Sequence, residues 1–445
     1  MRLFKSKAFK RIYSLVTLVL ILVVTYNFIT DELNNVTFAR YMEEELKPIR
    51  ENKEDVELIF FGSSRVYQAF RPSIFEEKLE YENVVLGATA SQPMCGSYYY
   101  MKEMIEEFHP QKVILNVTFD GLLNGEVLQT RLLIYDRLSL KNKIPFVLNC
   151  IQASDRKYIL GPCRFRDNIL MYGMIKDEQA ELEANLSGIY YPEKDYFVDK
   201  GFMYTYGKYE TGTIPFGYDI VYKFSEDDIL EENVFYLNKC IELCKENDVE
   251  IALVSAPTAM AYMYQIEGYD DAVEWYKSYA KENEITYYNL NYLKNRELFL
   301  PDEYMYDMSH TNGEGANIVS DLYAEILLKE QNGEDVSEYF YDNFEELKKD
   351  VHRIVAVSAN IMITSEVVDS MNVANVAIQS FQNEDVQPLY QIELIDAEGN
   401  VSVLVGWTYD MENEILLPQN QNYCVKVRAK TGVEGEAEAF QCYYY

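Results

Sequence analysis

A serine hydroxyl is a weak nucleophile at neutral pH and needs a neighbouring base, normally histidine, to take its proton. The chain offers three histidines, His109, His310 and His352, so the search for such a base is short. His109 precedes Pro110 in a helix-ending turn, and His352 opens a region of strand-like runs; both read as structural or solvent-facing. His310 differs. It lies in Asp307-Met308-Ser309-His310-Thr311-Asn312-Gly313-Glu314-Gly315-Ala316, just before a helical run over 316–328. A loop aspartate three residues before a histidine can bend back and accept a hydrogen bond from Nδ1, which fixes the tautomer and leaves Nε2 free to face a serine. Candidate serines stand where the apolar run Leu58-Ile59-Phe60-Phe61 stops at Gly62-Ser63-Ser64-Arg65. A small-residue turn at that point faces the open edge of a sheet.

Positioning such groups requires a rigid frame. Short apolar runs of strand length occur at 56–61, 83–86, 112–117, 250–255 and 285–290, with helical patterns between several of them, at 94–108, 226–245 and 270–282. Near-continuous apolar strands alternating with helices predict a parallel sheet covered on both faces, an α/β fold of flavodoxin-like type. Ser225 with Asp228 predicts the start of the 226–245 helix. Between the third and fourth strands lies an insertion, 121–224, rich in tyrosine and far longer than an ordinary connection. It is expected either to elaborate the rim or to wall the site above the strand ends.

These blocks resemble the SGNH (GDSL-like) hydrolase superfamily, particularly its membrane-anchored branch related to D-alanyl transfer proteins and polysaccharide O-acetyltransferases. The resemblance runs over 56–329, outside the insertion. Gly62-Ser63-Ser64 is similar to the family's Gly-Asp-Ser block at its first and third positions, which implies Ser64 as the nucleophile. Asp307, His310, Asn312 and Gly315 are similar to its last block, which implies His310 as base and Asp307 as its orienting partner. Val85-Leu86-Gly87-Ala88-Thr89 is similar to the second block, which implies amides of Ser64 and Gly87 as oxyanion donors. The third block, whose asparagine is an oxyanion donor in the family, is not recognisable in Leu115-Asn116-Val117-Thr118-Phe119-Asp120. Losing one such donor typically costs about a hundred- to a thousand-fold in rate, so weak hydrolysis or transfer to a specific acceptor both fit. The resemblance implies an extracytoplasmic serine esterase or O-acyltransferase that works through an acyl-serine on an acylated cell-envelope carbohydrate or polymer. A multispanning acyltransferase is a partner it suggests, and no cofactor is implied. The alternative is a catalytically silent anchored binding or scaffold protein.

Composition narrows the setting. With 445 residues, 48% hydrophobic and 25% charged, the chain has material for several domains. The expected division is a basic tail at 1–11, a membrane anchor at 12–30, a stem at 31–53, an SGNH-like body at 54–330, a linker at 331–350 and a small β-sandwich at 351–445. The apolar run 12–30 is uncharged and follows Arg2, Lys5, Lys7, Lys10 and Arg11. It is about long enough for one span, and the basic flank predicts a cytoplasmic amino terminus. A net charge of -33 repels polyanions, so no nucleic-acid partner is expected. Seven cysteines cannot all pair; Cys150 with Cys163 and Cys424 with Cys442 are candidate local pairs, and no spacing suggests a metal site. In the sandwich, Trp407 or an exposed tyrosine would offer a carbohydrate a stacking face. A topology reporter fused after Lys53 is expected to be active only outside the cytoplasm; activity inside reverses the predicted orientation.

Overall fold

Five runs of Val, Ile, Leu and Phe pair in one sheet: β1 Leu58–Gly62, β2 Val84–Ala88, β3 Lys112–Asn116, β4 Glu250–Ser255 and β5 Thr286–Asn289. The computed structural model describes residues 7–33, 37–123, 128–164, 172–209, 222–383, 385–419 and 421–445. All five strands are parallel, in the order β2-β1-β3-β4-β5. β1, β2 and β3 are buried along their whole length, which is why they read as unbroken apolar runs. Their side chains alternate between two cores. Ile59, Phe61, Val113 and Leu115 join the helices Met94–Phe108 and Glu231–Glu246 on one face. Leu58, Phe60, Leu86 and Ile114 join Pro72–Leu79 and Gly313–Gln331 on the other. The expected α/β architecture, a parallel sheet with helices on both faces, is what the chain forms. From β1 the chain goes first to one neighbour and then to the other, so the carboxyl ends of β1 and β3 flank a crevice, the usual binding position in open α/β sheets.

Several expectations need correction. The stem is no free stalk: helix Thr37–Asn52 buries Tyr41, Met42, Leu46 and Ile49 in the main core, and Arg50 pairs with Glu107 at 2.7 Å. Its apolar residues recur at helical spacing, so burying them gains more than solvating them. Ser225 does not start the next helix; Glu226–Asp228 is a separate 3₁₀ turn and the helix begins at Glu231. All seven cysteines are free thiols, and Cys150 instead donates to the Tyr236 hydroxyl at 3.4 Å. Burial pushes the Cys244 thiol up to about 12, as befits a core residue. Helix Lys7–Leu33 covers the expected anchor, with side chains described from Arg11 to Tyr26. Among the described residues no helix is long and apolar enough to cross a membrane. Positions 1–6 of the tail, 34–36 of the stem, and 124–127, 165–171 and 210–221 of the insertion lie outside the described residues.

The carboxyl-terminal segment forms two antiparallel sheets around their own core. Ala356–Val368, Met371–Phe381 and Glu412–Pro418 make one; Val401–Thr408, Leu389–Asp396, Tyr423–Lys430 and Ala439–Tyr444 make the other. Val357, Val376, Ile392, Leu417 and Val425 fill the space between. Asp396 caps the hairpin to the next strand, accepting from the Glu398 and Asn400 amides, with Gly399 at φ 83° as expected. Trp407 is half-buried, with Lys430 Nζ 4.4 Å and the Arg428 guanidinium 5.7 Å from its ring centre.

Gly87 shows how tightly the sheet is packed. A Cβ there would lie 2.3 Å from Cε1 of the fully buried Phe61. Gly87→Ala is therefore expected to lower unfolding free energy by about 1–3 kcal/mol, the usual cost of overpacking, in a urea titration. An unchanged midpoint would show that the ring has room to move.

Candidate active site

The site is built by a strand that must stop abruptly. Gly62, at the end of β1, has φ 153°, and a Cβ there would lie 2.7 Å from Val66 Cγ2 and 2.8 Å from Asn116 Cβ. Only glycine lets β1 pass so close to β3 and turn at once into the short helix Ser64–Tyr67. Val66 N–H donates to the Ser63 carbonyl at 2.9 Å, and Thr89 N–H to the Gly62 carbonyl at 3.3 Å, tying the turn to the end of β2. Ser64 is the first residue of that helix, so its amide is one of the donors a helix start leaves free.

The structure brings Ser64, His310 and Asp307 together. Ser64 Oγ lies 2.7 Å from His310 Nε2. His310 Nδ1 lies 2.9 Å from both Asp307 carboxylate oxygens. The aspartate is itself held in a tight turn: it accepts from the Ser309 amide at 2.7 Å and the His310 amide at 2.9 Å. Burial raises the Asp307 pKa, but the hydrogen bonds and charge of His310, with those of Ser309, outweigh it and hold the carboxyl below its ordinary value. Asp307 is thus ionised while it orients the imidazole. Neighbouring chain clamps this loop. Tyr306 N–H donates to the His310 carbonyl at 2.8 Å, Thr311 Oγ1 to the Gln68 carbonyl at 2.6 Å, and Asn312 caps helix Gly313–Gln331 by accepting from the Gly315 amide at 3.0 Å.

Beside Ser64 opens a cleft of about 420 Å³, with His310, Ser91, Gln92, Asn116 and Thr130 among its walls. Gly87 is not among them. It lies within β2, opposite Phe61, and the loop that reaches the cleft begins beyond it. The expectation that Gly87 donates there is corrected: Ser91, at φ 46°, lines the cleft on this side. A left-handed serine is the sequence-level surprise, because glycine is the residue that such a backbone favours. Asn116 was not recognisable as a block residue, yet its side chain lines the cleft from the end of β3 while its Nδ2 donates to the Val254 carbonyl at 3.0 Å. Arg65, next to the candidate nucleophile, also lines the cleft. It sits 3.8 Å from Asp120, with its guanidinium 5.7 Å from the Tyr262 ring centre. Gly121 and Thr130 are the insertion's described contributions to the wall, and the insertion's Gly207 and Tyr209 pack on the loop that carries Asp307. Among the described residues no group of His, Cys, Asp and Glu could hold a metal ion.

No family profile matches the chain, and no curated protein matches it. Solved structures similar to it include a GDSL-like lipase from Bacteroides thetaiotaomicron VPI-5482, 13% identical, which covers 66% of this chain and 99% of that one with a TM-score of 0.29. A candidate acylhydrolase from Bacteroides fragilis NCTC 9343 is 11% identical and covers 64% of this chain and 96% of that one, with a TM-score of 0.28. Superpositions at that level carry no weight for function; the geometry of the cleft does.

Proposed function

We propose that the chain is a serine esterase or O-acyltransferase acting on an acylated carbohydrate or polymer of the cell envelope. The observation that carries the reading is the continuous relay from Ser64 Oγ through His310 to the ionised Asp307. In the proposed cycle His310 Nε2 takes the Ser64 proton as Oγ attacks the ester carbonyl. The tetrahedral oxyanion is stabilised by the Ser64 amide, by the Ser91 amide in place of Gly87, and by the second N–H of the Asn116 carboxamide. His310 then protonates the leaving alkoxide; water or a second hydroxyl, deprotonated by the same ring, attacks the acyl-serine, and His310 returns that proton to Ser64 Oγ as the acyl group departs. A carbohydrate substrate is supported by Ser91, Gln92, Ser97, Asn116, Thr118 and Thr130, which share the walls with Pro93, Met94, Val117 and Tyr276 and could meet both the hydroxyls and the apolar face of a sugar ring. Burying an alkyl chain against the polar groups would strand their hydrogen bonds. In this reading helix Lys7–Leu33 holds the enzyme on the outer face of the cell membrane, where a multispanning acyltransferase is the natural acyl source.

Two measurements test the chemistry. A fluorophosphonate probe is expected to label the wild-type chain on Ser64 and to leave Ser64→Ala unlabelled, with the variant's urea midpoint unchanged. An unlabelled wild type points to the silent scaffold instead. Asp307→Asn is expected to lower kcat about ten-thousand-fold on a small acetate ester, the scale seen when an asparagine fixes the wrong imidazole tautomer. The lowered carboxyl pKa also has a sign for stability. The advantage of wild type over Asp307→Asn is full above the ordinary carboxylate pKa near ~4 and fades as pH falls through the lower folded value, which urea titrations at several pH values would read.

A further inference from the structure

Helix Leu140–Cys150 has two apolar faces. Phe146 and Cys150, with Asn142, are buried against the body. On the opposite face Leu140, Ile144 and Leu148 are 75%, 59% and 58% exposed, and Leu160 beyond the helix is 51% exposed. Three residues at a spacing of four form one stripe along a helix. A scattered exposed leucine needs no explanation, whereas a contiguous stripe marks a surface that something covers.

The segment that carries the stripe is basic, whereas the chain as a whole is acidic, although Glu103 and Glu106 of helix Met94–Phe108 face its start, where Ser139 and Asn142 donate to Glu103. Residues 128–164 hold seven basic and two acidic residues, a net +5 in a chain of net charge -33. Lys141 is 68% exposed, although it also pairs with Glu106 at 2.8 Å. Lys143 and Lys157 each lie 4.9 Å from the ring centres of Tyr135 and Tyr158. Arg156 donates to the Leu148 and Ile151 carbonyls, folding the following loop back onto the helix so that Leu160 and Lys157 belong to the same region. Of the acids, Asp136 is engaged by Arg164 at 2.7 Å. The amino-terminal helix Lys7–Leu33 packs against the turn Gly161–Arg164, so its exposed apolar side chains, Ile12 to Val24, leave the body beside this region.

We propose that this face, helix Leu140–Cys150 with Leu160, lies in the headgroup layer of an anionic lipid bilayer. Its apolar stripe enters the acyl boundary while Lys141, Lys143 and Lys157 meet the lipid phosphates. An amphipathic helix with exposed leucines and flanking lysines has the composition of an interfacial element, and its affinity combines buried apolar area with attraction to anionic lipid. The inference is independent of the serine chemistry and concerns a surface separate from the amino-terminal helix.

The test uses the full chain with Cys163→Ser and Cys442→Ser, removing the exposed and the half-buried thiol. An environment-sensitive dye is attached at Leu148→Cys, or at Asn400→Cys in the distant hairpin as a control. With vesicles of phosphatidylcholine containing phosphatidylglycerol, the dye at 148 is expected to shift to the blue and to be shielded from aqueous iodide, while the dye at 400 does not change. Replacing Lys141, Lys143 and Lys157 by Gln is expected to weaken this docking roughly a hundredfold, at about fivefold per cation near an anionic surface. High salt should act in the same direction. The proposal is overturned by unchanged emission at 148, or by equal shielding on phosphatidylcholine alone. It is also overturned if shielding without lipid grows with protein concentration, the mark of a second copy covering the stripe.

Discussion

The geometry of the candidate site depends on one close approach. Gly62 and Asn116, at the ends of adjacent strands, stand so near that a single methyl group on Gly62 would collide with the asparagine. The asparagine in turn is fixed by its hydrogen bond to the Val254 carbonyl, so the carboxyl ends of β1, β3 and β4 form one unit. Ser64 inherits its position from that unit rather than from a flexible loop. Its backbone has one residue, Ser63, in which to leave the strand and begin a helix, and the ladder on both sides of β1 removes the freedom to do so any other way.

His310 reaches this fixed serine from 246 residues further along the chain, and long loops are poor places to hold a histidine to within a few tenths of an ångström. Here the loop is bracketed. Met305 pairs with Thr311 across it, and the insertion's Tyr209 amide donates to the Met305 carbonyl at 2.7 Å. The Thr205 carbonyl receives the Gly313 amide at 2.9 Å, and Ala259 beyond β4 donates to the Met308 carbonyl at 2.9 Å. Each bond removes a way for His310 to drift from Ser64. The insertion is therefore part of what positions His310.

How much of this was legible in the sequence depends on where the determining contacts lie. Strand existence was clear, because parallel strands buried on both faces are apolar throughout, and the spacing of Asp307 and His310 carries the local turn that joins them. The end of β2 was not clear. Gly87 is a glycine because Phe61 needs the space, a contact between strands that no local pattern displays, and the residue lining the cleft is a serine where a glycine would have been the visible signal. Helix Thr37–Asn52 looked like a stalk because it is short and highly charged; only the register of Met42, Leu46 and Ile49 betrayed a buried face. In the sandwich, Glu412–Pro418 is short and ends in proline, and Ala439–Tyr444 follows a Gly- and Glu-rich turn, so neither shows a plain strand-like run in the sequence.

Charge asymmetry bears on how such a molecule would sit at a surface. At physiological salt, fields decay over roughly 8–10 Å, so an anionic bilayer senses only the face nearest to it and not the sum over the chain. A net charge of -33 therefore does not forbid approach; it selects which face approaches. Residues 351–445 carry four basic and thirteen acidic residues and would be turned away, while the positive stretch at 128–164 would be drawn in. Helix Leu128–Arg137 links that stretch to the cleft, with Thr130 in the cleft wall near one end and Leu140 of the apolar stripe just beyond the other. Ten residues of helix rise about 15 Å. If Leu140–Cys150 rests on the bilayer, the cleft stands within roughly a few nanometres of the headgroups.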